Sequence, residues 1–214
     1  MATSTRTATS AVATATPSPL LYPLAMLLAP LLLLASTIAF LTVGNGINDG
    51  VVGGVITVWA VLALVVAFVG CARILEPHMR KGAQLLVFGA AALGVGGAGF
   101  GNSSIYTQIL RDDHGIDAEA AFDAHPFGLL ALLPWGWFMP ITCILVGVLL
   151  WRARLLPWWH GVAFILGGVM FVTGRPAGID AVALATDVVL LLAFAGLGLR
   201  ALSSRRAGPA GELQ

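Results

Sequence analysis

Six long apolar runs, separated by short polar stretches, dominate the chain. They cover about residues 20–43, 51–72, 83–101, 127–151, 157–174 and 181–200. A helix needs about 20 apolar residues to cross the ~30 Å hydrocarbon core of a bilayer. Inside that core the backbone must satisfy its own hydrogen bonds, and the alternation of a membrane β-barrel is absent, so helices are expected. The runs end at turn or charge signals: Asn45-Gly46 and Asp49-Gly50, Arg80-Lys81-Gly82, Arg152 to Pro157, and Gly174 to Gly178. The pattern predicts an all-α bundle of six transmembrane helices over 19–201. A flexible cytoplasmic tail is expected at 1–18, a cytoplasmic tail at 202–214, and an acidic outer loop at 102–126.

Composition sharpens this picture. Of 214 residues, 58% are apolar and 10% charged, against roughly 25% charged in a soluble domain. Mean hydropathy is +0.94. A water-soluble globule, a disordered chain and a disulfide scaffold are all excluded, and a net charge of +1 gives no electrostatic reason for a nucleic-acid partner. Membrane lipid is the expected surrounding. With the N-terminus in the cytoplasm, nine basic residues (Arg6, Arg73, Arg80, Lys81, Arg152, Arg154, Arg200, Arg205, Arg206) fall on the inner side and two, Arg111 and Arg175, on the outer. Basic residues favour the cytoplasmic side, so both termini are expected inside. Arg6 alone is too thin a basic region for a signal peptide. Lysine occurs once against ten arginines, a usage associated with GC-rich bacterial genomes, so a bacterial plasma membrane is expected.

Two connections resemble each other. Ala72-Arg73-Ile74-Leu75-Glu76-Pro77 precedes span 3, and Ala153-Arg154-Leu155-Leu156-Pro157 precedes span 5, which suggests a parallel hairpin repeat. Span 3 carries Gly89, Gly94, Gly96, Gly97, Gly99 and Gly101. With no strand before them and no lysine after, they read as a close-packing surface and not as a phosphate loop. Span 3 is therefore expected to be the central, lipid-shielded helix. Cys71 and Cys143 lie in apolar runs and read as buried, unreactive thiols.

Asp187 is the most informative residue. It lies about 9 Å into span 6 from the outer side, where an aspartate costs up to ~3 kcal/mol on insertion. Such a residue usually faces the bundle interior with a partner. At a similar depth lie Thr186, Thr57, Trp59, Trp135 and Trp137, with Thr37 in span 1 and Gly94 in span 3. Pro134 and Pro140 free the carbonyls of Leu130 and Gly136 and are expected to kink span 4. One acid, hydroxyls, freed carbonyls and indole faces suit a pocket for an apolar or cationic ligand. His125-Pro126 opens span 4 and is placed to fold over it. Asn45, Asn48, Asp49, Asn102, Arg175 and Asp180 ring the mouth, with Arg175 expected to pair with Asp180 or Asp49 at the rim.

The outer loop offers one metal-like spacing. Asp112, Asp113 and Asp117 match D-D-x-x-x-D, as in magnesium sites for prenyl diphosphates. Acidic surface loops carry such spacings without metal, and 117–125 also reads as a short capped surface helix. No cofactor is otherwise expected. Haem would need facing histidines, but His160 and His125 lie at opposite ends; no Gly-x-Ser-x-Gly, continuous polar stripe or repeated arginine supports a hydrolase, channel or voltage sensor.

The run His125-Pro126, Pro134-Trp135-Gly136, Leu149 to Trp158, Gly161, Gly167-Gly168 and Gly174-Arg175-Pro176 resembles the C-terminal half of uncharacterised six-helix membrane proteins of high-GC Gram-positive bacteria. The resemblance covers about 100 residues and implies the six-helix fold without an activity. A fainter likeness is to integral-membrane terpene cyclases, which use intramembrane carboxylates as acid. It implies Asp187 as catalytic acid, with Asp49 substituting from a loop for a second intramembrane carboxylate that this chain lacks. The favoured expectation is a protein binding a small hydrophobic or amphiphilic ligand around Asp187. An isoprenoid- or lipid-modifying enzyme and a proton-coupled transporter are the alternatives.

Overall fold

The structure, a computed structural model, describes residues 20–118, 120, 124, 125, 127 and 134–206, with the side chains of 204–206 left aside. The tail expected at 1–18, positions 119, 121–123, 126 and 128–133 of the outer loop and span 4, and residues 207–214 lie outside the described residues. Six principal helices are present: α1 (Leu21–Thr42), α2 (Val51–Leu75), α3 (Arg80–His114), α4 (Phe138–Ala153), α5 (Trp158–Gly174) and α6 (Asp180–Arg206). Five are long and apolar enough to cross a membrane when α4 is taken with the helical turn at 134–136, and α5 is a shorter apolar helix. At 17 residues α5 is about 25 Å long. Pro157 caps its start, and Arg175 and Pro176 follow its end.

Each helix packs on the next, and α6 closes back on α1, so the bundle is a ring in chain order. Neighbours run antiparallel. In α1 and α2, for example, Ser36 bonds the Gly53 carbonyl while Tyr22 meets Gly70. One end of the ring thus carries the α1–α2 and α5–α6 turns, here the Asn48 end. The other carries the α2–α3 and α4–α5 turns. The two connections that resemble each other in sequence both lie at that other end. They lead into helices of 35 and 17 residues.

Glycine sets how close the helices come. Added Cβ atoms at Gly54 and Gly101 would meet each other's carbonyl oxygens at 2.6 and 3.0 Å, and those at Gly147 and Gly161 at 2.5 and 2.8 Å. Without a hydrophobic drive between helices in lipid, such close approach supplies packing. The interior away from the Asn48 end is filled by Phe68, Phe164 and Phe194. Their rings meet edge to face, with centroids 5.3 Å (Phe68–Phe194) and 4.8 Å (Phe164–Phe194) apart.

Two expectations about α3 are corrected. It is not central: among the described helices it packs on α2 and α4 alone, and Phe88 and Val95 are each 60% exposed. Its glycines form two stripes. Gly82 and Gly89 face α4 and Gly96 faces the turn at 134–136 that precedes it, while Gly94, Gly97 and Gly101 face α2. Small residues therefore bring two neighbours close and leave the third face to lipid. Nor does α3 end at 101. Residues 102–114 contain no breaker, and the helix runs on until Gly115, whose left-handed φ of 64° turns the chain. The first half of the expected outer loop is thus helix.

Candidate functional site

The extension of α3 holds the α1–α2 turn in place. Gln108 Oε1 accepts from the Val51 amide at 2.6 Å, the Gly50 amide donates to the Ser104 carbonyl at 3.4 Å, and Arg111 pairs with Asp49. This fixes Asn48, which adopts a left-handed φ of 71°, a conformation asparagine tolerates better than most residues. Across the ring, α5 meets the start of α6 so closely that a Cβ on Gly174 would lie 2.7 Å from the Ala183 nitrogen. The tight turn between them closes with the Ile179 amide on the Gly174 carbonyl at 2.9 Å and with Gly178 at φ 65°. Asn48 Nδ2 donates to the Arg175 carbonyl at 3.0 Å, tying the two turns together.

That turn places Arg175 inside the bundle. The residue is 3% exposed, and its Nη2 donates to Thr37 Oγ1 at 2.7 Å and to Asp187 Oδ2 at 3.3 Å. Thr37 in turn donates to Asp187 Oδ2. Asp187 is fully buried. A charge on α6 is therefore met by a charge from the α5–α6 turn and a hydroxyl from α1, and the guanidinium also lies 5.7 Å from the centre of the Phe171 ring. Nearby, the Ser36 and Thr57 hydroxyls lie 2.5 Å apart over the Gly53 carbonyl. The satisfaction of the ion pair is incomplete. Arg175 Nε, Asp187 Oδ1 and Asn48 Oδ1 are buried with no hydrogen-bond partner among the described residues.

Beside this cluster is a cavity of about 350 Å³. Leu33, Val61, Leu64 and Leu93 wall it, Phe100, Trp135, Trp137 and Phe171 add aromatic faces, and Asn48, Thr57 and Arg175 are its polar residues. Its size lies at the lower end of small-molecule sites, which are mostly apolar with a few placed polar groups. Pro140 has no N–H for the Gly136 carbonyl, and the helix is broken at Trp137 before α4 begins. Both Trp135 and Trp137 reach the cavity because of that break.

The structure brings Thr57, Trp135, Trp137 and Arg175 together at the cavity, as the sequence suggested. Asp187 stands behind Arg175 and does not line it. Three expected lining residues lie elsewhere. Trp59 is 61% exposed on the outside of the ring, because two positions from Thr57 on a helix is the opposite face. Thr186 is buried, and its hydroxyl bonds its own helix at the Val182 carbonyl, 2.7 Å away. His125 is exposed. The rim pairings are also revised: Arg175 pairs with Asp187, not with Asp180 or Asp49, and Asp49 pairs with Arg111. Asn48, expected among the residues ringing the mouth, lines the cavity itself, and Leu33 and Phe171 went unnoticed as cavity residues.

Of the metal-like triplet, Asp112 accepts from Arg111 and Gln108, Asp117 accepts from the Ala120 amide at 3.1 Å as a helix cap, and Asp113 is exposed. Among the described residues no three His, Cys, Asp or Glu side chains are grouped to hold a metal ion. Cys71 and Cys143 are free and buried. Comparison of the chain with protein-family models, with characterised proteins and with solved structures finds no match.

Proposed function

We propose that this multi-pass membrane protein binds a small apolar or amphiphilic molecule in the cavity at the Asn48 end, with Arg175 as the polar contact. The observation that carries this reading is an intramembrane cavity in which Arg175, the one charged lining residue among the described residues, is held by a buried partner, Asp187. A lone arginine would be expensive in the bilayer; paired with Asp187 and Thr37 it presents donors at the wall without net charge. Asp187 is then a positioning residue. This weighs against Asp187 as a general acid, since its Oδ2 is already engaged by Arg175 and Thr37 and the residue does not line the cavity. The excess of basic residues at the opposite end of the bundle supports an orientation with the Asn48 end outward and both termini in the cytoplasm of a bacterial cell.

The test uses the two cavity tryptophans as reporters. In a background with Trp59, Trp151, Trp158 and Trp159 changed to Phe, the protein is reconstituted in phosphatidylcholine nanodiscs and titrated with 1-bromododecane. Saturable quenching of Trp135 and Trp137 is expected above the linear collisional component. Gly136 lines the cavity, and a Cβ there meets nothing within 4 Å. Gly136→Leu should therefore fill the space and remove the saturable component while leaving the fold intact. Quenching that is linear in both proteins would reject the reading.

A further inference from the structure

We propose that the end of the bundle opposite Asn48 carries a site for an anionic phospholipid of the adjoining leaflet, its phosphate held between Arg80 and Lys81 of α3 and Arg152 of α4. This site is separate from the cavity, and it follows from the register of two helices. A Cβ added at Gly82, Gly89 or Gly96 would meet Leu149, Thr142 or Trp135, at 2.8, 2.5 and 2.5 Å respectively. Each advance of seven residues along α3 is thus answered by seven residues back along α4 and the turn before it. Continued away from the Asn48 end, this antiparallel register sets Arg80 two residues beyond Gly82 and Arg152 three beyond Leu149. At ~1.5 Å per residue the two stand at nearly the same height. Positions three apart share a helix face, so Arg152 lies on the side of α4 that meets α3.

Among the described residues nothing neutralises this group. Arg80, Lys81 and Arg152 are exposed and form no ion pair there. Glu76, the one acid at this end among the described residues, is engaged by Arg73 at 3.2 Å, and α3 has no acid in its first turn. A soluble anion would meet the charge alone, whereas a lipid also meets what adjoins it. Leu85 and Phe88 follow Lys81 at four and seven residues, on one face of α3, and both are exposed. The Phe88 ring meets Phe138 edge to face, with centroids 5.7 Å apart, so an apolar seam runs from Lys81 along the α3–α4 contact. Beside Arg152, Trp151 is exposed, an indole where hydrocarbon gives way to head groups. Basic clusters between helices at a membrane face suit lipid phosphates, and each basic residue near the surface adds attraction for anionic lipid. Phosphatidylcholine carries the same phosphate with an ammonium that the cluster repels. Charge complementarity therefore selects a head of net negative charge, such as phosphatidylglycerol.

Trp151 reports on the site. With Trp59, Trp135, Trp137, Trp158 and Trp159 changed to Phe, the protein is placed in phosphatidylcholine nanodiscs that contain rising fractions of dibrominated phosphatidylglycerol or, in parallel, of dibrominated phosphatidylcholine. Quenching of Trp151 should show phosphatidylglycerol bound about tenfold tighter at about 0.1 M salt. Arg80→Gln with Arg152→Gln should cut that preference to about twofold or less. Both side chains are exposed, so the fold should survive, which far-UV circular dichroism checks. Should the double variant fail to fold, Arg152→Gln decides alone, with a loss of about threefold expected. Arg205→Gln with Arg206→Gln removes the same charge from the end of α6, which among the described helices packs on α1 and α5 and not on α3, and should leave the preference intact. Equal quenching by the two lipids in the parent would overturn the proposal. So would a loss in the α6 variant as large as in the α3–α4 variant, the mark of bulk attraction without a site. A preference abolished by about 10 mM inorganic phosphate at constant ionic strength would assign the cluster to a soluble anion and reject the lipid.

Discussion

Removing the Asp187 carboxylate strands a guanidinium. Arg175 is 3% exposed, and without Asp187 the Thr37 hydroxyl is the side-chain hydrogen-bond partner left to its guanidinium among the described residues. Breaking a buried pair by deleting one member costs about 3–5 kcal/mol, because the other charge is left uncompensated. Exchanging both members for apolar side chains of similar volume leaves no charge behind and is often neutral or stabilising. Asp187→Ala should therefore destabilise the protein by about 3–5 kcal/mol, while Asp187→Leu with Arg175→Met should cost about 2 kcal/mol less than the single change. Reversible unfolding in mixed dodecylmaltoside and dodecyl sulfate micelles, followed by far-UV circular dichroism, measures both. An Asp187→Ala cost below about 1 kcal/mol, the size of an exposed pair, would refute the assignment. So would a double variant whose cost is the sum of the two single changes.

Other expectations follow from the same contacts. Thr37→Val is isosteric and deletes one donated and one accepted bond to charged partners, so it should cost about 2–3 kcal/mol in the same unfolding assay. Arg111→Ala breaks a pair whose side chains are 39% and 20% exposed, and should cost clearly less than Asp187→Ala in that assay, because solvent screens the pair. Gly147→Val drives a side chain into the Gly161 carbonyl, 2.5 Å from the added Cβ. It should destabilise by about 1–3 kcal/mol, whereas Gly136→Ala, with open space around it, should be within about 0.5 kcal/mol of the parent. Impermeant thiol labelling of cysteines introduced at Asn45 and at Arg154 should find the first reachable from outside the cell and the second from inside; the reverse would invert the bundle.

The places of the helices were readable because an apolar run of bilayer length has few alternatives, and Asp187 stood out because its insertion is costly without a partner. The rest depended on what hydropathy does not encode. Lipid-facing and core-facing sides of α2 are equally apolar, so the pattern did not separate Thr57 from Trp59. Their spacing of two could have done so, since such positions point apart on a helix. The glycines of α3 announced close packing but not that the packing served two neighbours and left a lipid face. Hydropathy marks where the membrane ends and not where a helix does, so the polar stretch from Asn102 to His114 read as loop. Arg175 followed Gly174 at the edge of a span and looked like a rim residue. Its burial comes from the tight turn through Gly178 and from the reach of a long side chain back into the bundle. Asn48 read only as one of several polar residues around the mouth, since its bond to the Arg175 carbonyl depends on the α1–α2 and α5–α6 turns meeting.

The most direct test of the central claim, that the Asn48 end encloses a site for an apolar chain, is protection of a thiol placed in that site. Gly136→Cys adds one where the cavity has room, and the native Cys71 and Cys143 are fully buried and should stay silent. Labelling by N-ethylmaleimide is timed in nanodiscs with and without 1-dodecanol at ten times its dissociation constant. The account predicts that labelling slows about tenfold, the protection expected from occupancy at that excess. A labelling rate that dodecanol leaves unchanged, in protein that remains folded, would contradict it.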